Sequence, residues 1–341
     1  MSPVLEIRNL EIRYDTATGS AHAVDGISFS IEPGEYLGLV GESGCGKSTV
    51  AKAILGILPP NGKVSAGDIF FQGTALNRLS PTDLRTIRWQ KIALIPQSAM
   101  DGFDPVYTVR QQLEEAITSH VKVPPAERRK RLEEVFELVG IATGRLDAYP
   151  HQFSGGMRQR AMIAMAMILD PVLVVADEPT TGLDVIVQDQ ILQRIRDIHE
   201  RMQKTMLLIT HDMAVVAENC DKIAVMYAGR IMEYGPNAVF EEPFHPYTMG
   251  LRNAFPDLDD RNRELISIPG GPPSLLAPPR GCRFHERCPF ATARCAREEP
   301  ALTPVGENHV AACHYVEKAT EFRKRAANPN TWRRAAIAEP A

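Results

Sequence analysis

Apolar and polar residues alternate near the start of the chain. Leu5 and Ile7, then Ile27, Phe29 and Ile31, each stand between polar neighbours. A period of two predicts strands with one buried face. The run from Tyr36 to Val40 is continuously apolar, as expected of a strand buried on both faces. A helical pattern runs from Thr49 to about Leu58, and Pro59 and Pro60 stop it. Residues 64–96 read mainly as strand, with Ile69–Phe71 and Ile92–Ile95 as the apolar runs. From about 98 to 157 the pattern is helical: Leu132, Val135, Phe136 and Val139 share one face, and Gly140 is the stop. Strand runs return at Val172–Ala176, Met206–Ile209 and Ile223–Tyr227, and Val187, Ile191, Ile195 and Ile198 line a helix face between the first two. Strands alternating with helices predict a parallel α/β sheet, with the helical block inserted into it.

Beyond this block the pattern breaks. Pro269, Pro272, Pro273, Pro278 and Pro279 can continue neither a helix nor a central strand, so they mark a boundary. A short Cys-rich segment follows, then a polar tail from about 317 whose end is expected to be poorly ordered. No internal repeat is visible. The 341 residues suggest about two folding units.

Composition changes the picture by exclusion. With 44% hydrophobic and 23% charged residues, the chain has material for a core and is not a disordered sequence. A net charge of −4 gives no support to a general nucleic-acid or anionic-membrane role. No apolar run reaches the ~18 residues that span a bilayer. The candidates Ala161–Leu169 and Val172–Ala176 are split by Asp170 and Pro171. The N-terminus opens directly into a strand pattern, without a basic stretch and apolar core, so no secretory leader is expected. The protein is therefore expected in the cytoplasm, where any membrane work requires partners.

Gly41, Glu42, Ser43, Gly44, Cys45, Gly46, Lys47 and Ser48 match the pattern G-x-x-x-x-G-K-[ST], between the strand ending at Val40 and the helix opening near Thr49. Glycines let the backbone curl so that N–H groups face an anion, and the helix adds its positive N-terminal end. Lys47 would reach the β- and γ-phosphates, and the Ser48 hydroxyl would ligate Mg²⁺. The strand Val172–Ala176 then delivers Asp177 and Glu178 at its C-terminal end, where ligands bind in parallel sheets. Asp177 would hold Mg²⁺ through water, and Glu178 would polarise the attacking water. The plainer alternative is that both carboxylates cap the next turn.

Further motifs stand in a familiar order. Ser154, Gly155, Gly156 and Met157 precede a dense helix and resemble the L-S-G-G-Q signature of ABC-transporter ATPases, with Phe153 for Leu and Met157 for Gln. Gln97 resembles the Q-loop glutamine, Asp184 the D-loop aspartate and His211 the switch histidine. Tyr14 sits where that family stacks an aromatic on adenine. The resemblance covers about residues 4–240. It implies a P-loop, RecA-like ABC ATPase core at 1–97 and 158–240, with a helical subdomain at 98–157 ending in the signature. It also implies two composite ATP sites, in which the Ser154 helix N-terminus meets the phosphate loop of a paralogous or identical partner. Catalytic roles fall to Glu178, His211 and Gln97, nucleotide contacts to Tyr14 and Gly41–Thr49, and Mg²⁺ to Ser48, Gln97 and Asp177. Each has a plainer rival: Ser154 as an ordinary helix cap, His211 and Gln97 as solvated strand-end residues, Tyr14 as packing.

The C-terminal part refines the resemblance. His245, Pro246, Tyr247 and Thr248 follow the core, and Cys282, Cys288, Cys295 and Cys313 follow the proline-rich link. Residues 241–341 resemble the extension of ATPase subunits of dipeptide and oligopeptide importers, the Dpp/Opp branch, which also serves nickel, opines and some oligosaccharides. This implies ATP hydrolysis driving import through two transmembrane permeases at the cytoplasmic face, with a solute-binding protein acting indirectly and no nucleic acid. The stretch Ser98–Pro105 departs from the usual D-P-M-x-S-L-N-P and is closer to members associated with sugars or undetermined cargo. The cysteines are spaced C-x5-C-x6-C-x17-C, without a C-x2-C pair. That spacing matches neither a zinc ribbon nor a common ferredoxin. The branch implies a [4Fe-4S] cluster within 282–313. Zinc, with His285, His309 or His314 substituting, and unliganded thiols are the alternatives. Arg283, Arg287, Arg294 and Arg297 would offset a cluster's charge or form a solvated face, while Cys45 and Cys220 are expected to pack. Two other function classes are a soluble ABC ATPase acting on nucleic acid or ribosomes, and a redox-regulated ATPase. A single phosphate loop and the absence of sustained heptads weigh against the first.

Overall fold

The computed structural model describes residues 2–97, 102–254 and 265–335. The chain divides into two compact units. One comprises Met1–Val4, Ile31–Tyr36 and Arg78–Ile209; the other comprises Leu5–Ser30, Leu37–Asn77 and Thr210–Ala341.

The first unit carries three parallel strands, Ile92–Ile95, Leu173–Asp177 and Thr205–Thr210, with Leu173–Asp177 in the middle. The middle strand is buried throughout, which is why it reads as a continuous apolar run. Helices Val109–Thr118, Pro125–Leu138, Gly155–Met167 and Val185–Met202 belong to this unit. Of the predicted stripes, Leu132, Val135 and Phe136, with Val139 just past the helix end, are buried, as are Ile191, Ile195 and Ile198, while Val187 is only half-buried. Gly140 takes φ 67° after the second helix, the left-handed stop that the sequence implies.

Residues 64–96 are not mainly strand. A helix, Pro81–Ile87, stands inside them. The Ser80 hydroxyl accepts from the Asp83 N–H, and proline opens the first turn. This local start signal overrides the weak strand pattern.

The second unit holds an antiparallel sheet in the order Gly19–Ile31, Leu5–Thr16, Gly62–Phe71, Thr74–Ala75. Leu5 lies opposite Phe71, Ile7 opposite Ile69 and, past an irregularity, Ile12 opposite Val64. The irregularity, with register shifts between Arg8 and Glu11 and between Glu11 and Ile12, contains Asn9 at φ 44°. It shifts parity so that Leu10 and Ile12 continue the buried face begun by Leu5 and Ile7.

In the same unit Tyr36–Val40 pairs in parallel with Lys222–Tyr227. The latter turns through Ala228 and Gly229, both at positive φ, into antiparallel Arg230–Pro236. His309–Ala311 pairs with Arg230–Pro236, and Thr303–Gly306 pairs with His309–Ala311. Residues on both sides of the proline-rich stretch thus share one sheet. The helix after the phosphate loop is Lys47–Ile54, shorter than the sequence suggests. Gly56, at φ 62°, ends it before the prolines, and the Ile57 N–H closes back on the Lys52 carbonyl at 2.8 Å. Past residue 317 the chain forms helices Ala319–Ala326 and Pro329–Ala335. Trp332 Nε1 and Asn253 Nδ2 both donate to the Ala326 carbonyl at 2.9 Å. The expected loose end, 336–341, lies outside the described residues, as do Ser98–Asp101 of the unusual stretch. No helix among the described residues is long and apolar enough to cross a membrane.

Candidate functional site

The phosphate loop leaves the buried strand Tyr36–Val40 and enters the helix Lys47–Ile54. Two of its glycines are required sterically. A Cβ on Gly41 would stand 2.0 Å from the Met226 carbonyl oxygen, and one on Gly46, at φ 109°, would stand 2.2 Å from the Ala23 carbonyl oxygen. Gly46 caps the helix without a side-chain hydrogen bond, and the N-terminal end of a helix favours an anion. Lys47 is 4% exposed, and its Nζ donates to the carbonyls of Gly41 at 2.7 Å and Glu42 at 3.0 Å. Cys45 is buried behind the loop, and burial raises its pKa. Cys220 is buried as well, so both read as packing residues. Tyr14 donates from its hydroxyl to Thr49 Oγ1 at 3.4 Å, and its ring lies against Gly62, where a Cβ would come within 2.6 Å.

The first unit brings together Gln97, Glu178 and Thr181. Glu178 follows the buried Asp177 at φ 46°, and its N–H donates to the Ile209 carbonyl at 2.8 Å. Its Oε2 accepts from Gln97 Nε2 and from Thr181 Oγ1, both at 3.0 Å. The carboxylate is thus held by two donors at the C-terminal end of a parallel strand, where ligands bind in such sheets. Ser154 Oγ accepts the Met157 N–H at 3.3 Å, capping the helix Gly155–Met167. Asp184 Oδ1 does the same for Val187 at 3.0 Å. Gly156 has a packing role invisible in the motif: its Cβ would meet Val187 Cγ1 at 2.6 Å. His211 stands exposed after the strand Thr205–Thr210, in the second unit.

All four C-terminal cysteines line one small apolar cavity, walled in part by Phe284 and Phe290. Gly281 lets the chain turn there, because a Cβ would stand 2.2 Å from the Cys295 carbonyl oxygen. Burial pushes the Cys282 thiol up to about 12 and the Cys313 thiol up to about 11, and raises Cys288 too. Among the described residues no three His, Cys, Asp or Glu side chains are grouped to hold a single metal ion. Of the histidines named as alternative zinc ligands, His285 and His314 line the same cavity, and each of the three has one ring nitrogen hydrogen-bonded. His309 Nε2 is 2.8 Å from Glu233 Oε1, His285 Nδ1 is 2.8 Å from the Cys282 carbonyl oxygen, and His314 Nε2 is 2.9 Å from the Glu298 carbonyl oxygen. Arg283 and Arg287 are buried and paired with Asp25 and Glu42, so they form no solvated face.

Several structural anchors escaped the sequence. Glu233, 0% exposed, accepts the N–H groups of Phe244 at 2.7 Å and His245 at 3.0 Å, besides facing His309. His245 Nδ1 accepts the Tyr247 N–H at 3.0 Å, starting the helix Pro246–Asn253. The motif His245–Thr248 was visible, but its carboxylate partner lies on the strand Arg230–Pro236.

A phosphate loop on a parallel sheet, a strand-end carboxylate and a capped signature helix define an ATP-binding cassette. Comparison with known proteins agrees. The ABC transporter family model matches residues 24–181, and the oligopeptide/dipeptide transporter C-terminal region matches residues 232–295. The chain is 44% identical over 325 residues to the dipeptide transport ATP-binding protein DppD of Bacillus subtilis, covering 94% of this chain and 97% of that one. It is 43% identical over 318 residues to the oligopeptide transport ATP-binding protein OppD of Haemophilus influenzae, covering 92% and 97% respectively. A dimeric ATP-binding cassette, MJ0796, solved with ADP and Pi, superposes with a TM-score of 0.61 at 26% identity, over 68% of this chain and 98% of that one. The chain belongs to the ABC transporter family, among the ATP-binding subunits of dipeptide and oligopeptide importers. It is an ATPase coupled to transport, using ATP and Mg²⁺, and the reading as a nucleic-acid or ribosome factor falls away.

Proposed function

We propose that this chain powers uptake of a peptide or related solute through two partner permeases at the cytoplasmic face of the membrane, paired with a paralogous or identical ATPase. The carrying observation is the Glu178 carboxylate, aimed by Gln97 and Thr181 at the end of a buried strand. In this reading Gly41–Thr49 and Tyr14 hold the nucleotide, and Ser48, Gln97 and Asp177 hold Mg²⁺. Glu178 orients water, His211 senses the γ-phosphate, and Ser154–Met157 and Asp184 complete the partner's site. Closure of the ATPase pair on ATP biases the permeases, because ATP binds the closed state better. The domain division that goes with it is a RecA-like core at 1–97 and 158–240, a permease-facing helical block at 98–157 and an importer-type extension at 241–341. The test is ATP hydrolysis and uptake of labelled dipeptide, with an oligosaccharide in parallel, in vesicles carrying the chain and its permeases. Lys47→Ala should abolish both hydrolysis and uptake. Uptake that persists in this variant sinks the reading.

We infer further that Cys282, Cys288, Cys295 and Cys313 hold a [4Fe-4S] cluster. Four soft sulfur donors around one apolar cavity suit such a group, and the Tyr315 N–H already donates to Cys313 Sγ at 3.4 Å. The cluster would supply a cross-link within the extension. Anaerobic purification should yield about four iron and four sulfide per chain. One zinc, or no metal, overturns this assignment and leaves the ATPase reading intact.

A further inference from the structure

Glu42, the second residue of the phosphate loop, is gripped at three atoms. Its N–H donates to the Tyr247 hydroxyl at 3.0 Å, and its carbonyl oxygen accepts from Lys47 Nζ at 3.0 Å. Its carboxylate accepts from Arg287 Nη1 at 2.8 Å. Two of these partners lie 205 and 245 positions away, in the importer-type extension. Arg287 is itself held firmly. Its Nε donates to the Pro269 carbonyl at 2.8 Å and Nη1 also donates to the Tyr227 hydroxyl at 3.1 Å. Its guanidinium carbon lies 5.6 Å from the Tyr227 ring centre and 5.9 Å from that of Phe284. The Tyr247 ring packs 4.7 Å from Tyr227 and 5.2 Å from Phe284. Hydrolysis chemistry requires none of these contacts.

We propose that Arg287 and Tyr247 are positioning residues for the phosphate loop, through which the C-terminal extension sets nucleotide affinity. The proposal rests on the ATP-binding reading above. Two physical effects act in the same direction. A loop fixed before binding loses less conformational freedom when nucleotide arrives. The Glu42 carboxylate also stands in a loop that must accept a polyphosphate, where an uncompensated negative charge would repel the ligand. Arg287 supplies the compensation, and Tyr247 fixes the backbone of the same residue.

The test uses the full-length chain, a fluorescent ATP analogue with Mg²⁺, and steady-state hydrolysis in the permease complex. Tyr247→Phe keeps the ring and removes only the hydroxyl. Arg287→Met keeps most of the volume and removes the charge. Each should weaken nucleotide binding and raise KM by about tenfold, with kcat at saturation within about twofold of the parent. Arg287→Lys should fall between parent and Met. Arg287→Met combined with Glu42→Gln should bind more tightly than Arg287→Met alone, because the repelling charge is gone. Lys324→Ala, an exposed side chain of the same extension, should match the parent. Unchanged affinity in Tyr247→Phe and Arg287→Lys overturns the proposal, and these two mild variants decide it if Arg287→Met melts non-cooperatively. A loss confined to kcat also overturns it. A parent chain that binds no nucleotide would instead overturn the ATP-binding reading, and the proposal with it.

Discussion

Gln97 Nε2 lies 3.0 Å from Glu178 Oε2, joining two residues 81 positions apart. Thr181 adds a second donor to the same oxygen. The carboxylate is therefore oriented before any water is placed.

Glu178→Gln keeps the shape of this arrangement and removes the carboxylate that the proposed function makes the base. ATP binding should be retained, while turnover falls by about 10²–10⁴-fold. Equilibrium binding of a fluorescent ATP analogue and single-turnover phosphate release measure the two halves separately. Near-normal release would show that Glu178 is not the base.

Gly46 and Gly44 separate steric from conformational need in one loop. Both have positive φ, but a Cβ on Gly46 meets the Ala23 carbonyl at 2.2 Å, whereas one on Gly44 meets nothing within 4 Å. Gly44→Ala should cost only backbone strain, of order 1–3 kcal/mol. Gly46→Ala should cost more and displace the helix start as well. Thermal unfolding should therefore rank parent above Gly44→Ala above Gly46→Ala; the reverse order of the two variants would refute the steric account.

Burial lowers the His245 pKa to about 3, against an ordinary value of 6.5. The fold thus holds this imidazole neutral, while the unfolded chain takes up a proton below about pH 6.5. Stability from this group is fully present above that pH and is lost as pH falls toward about 3. Its slope is about 1.4 kcal/mol per pH unit. His245→Asn keeps a capping acceptor and cannot titrate. Urea unfolding at pH 7.5 and 5.5 should show a smaller loss in the variant than in the parent. Equal losses would mean that His245 carries no part of the acid sensitivity.

Glu233, itself 0% exposed, accepts two backbone N–H groups and faces His309. Glu233→Ala leaves those donors buried without an acceptor, a loss on the order of 3 kcal/mol or more. Chemical denaturation should register it as a lowered midpoint. A midpoint unchanged within error would mean that solvent reaches these groups.

What the sequence made legible was local. The runs at Tyr36–Val40, Val172–Ala176 and Ile223–Tyr227 announced buried strands because every position is apolar, and the phosphate loop announced itself because one strand–loop–helix unit carries it. The helix Pro81–Ile87 was missed although Ser80, Pro81 and Asp83 are an adequate start signal. The parity shift after Asn9 was half visible, in the spacing from Ile7 to Leu10. The contacts of Arg287 with Glu42, and of Glu233 with His309, span 245 and 76 positions. No periodicity or spacing marks such pairs, because each residue alone resembles an ordinary surface charge. Likewise, Thr303–Gly306 and His309–Ala311 are too short to show a pattern, and only their partner strand defines them.

That partner strand has a consequence for truncation. Glu233 pairs with Ala311 and Tyr234 with Val310, so the far C-terminal region closes the side of the sheet that ends at Arg230–Pro236. Cutting the chain after the nucleotide-binding region would bare a row of unpaired backbone N–H and carbonyl groups. Such a row is a template for pairing with another molecule. A shortened chain would then be expected to self-associate, and its loss of activity would report aggregation before it reported any missing docking function.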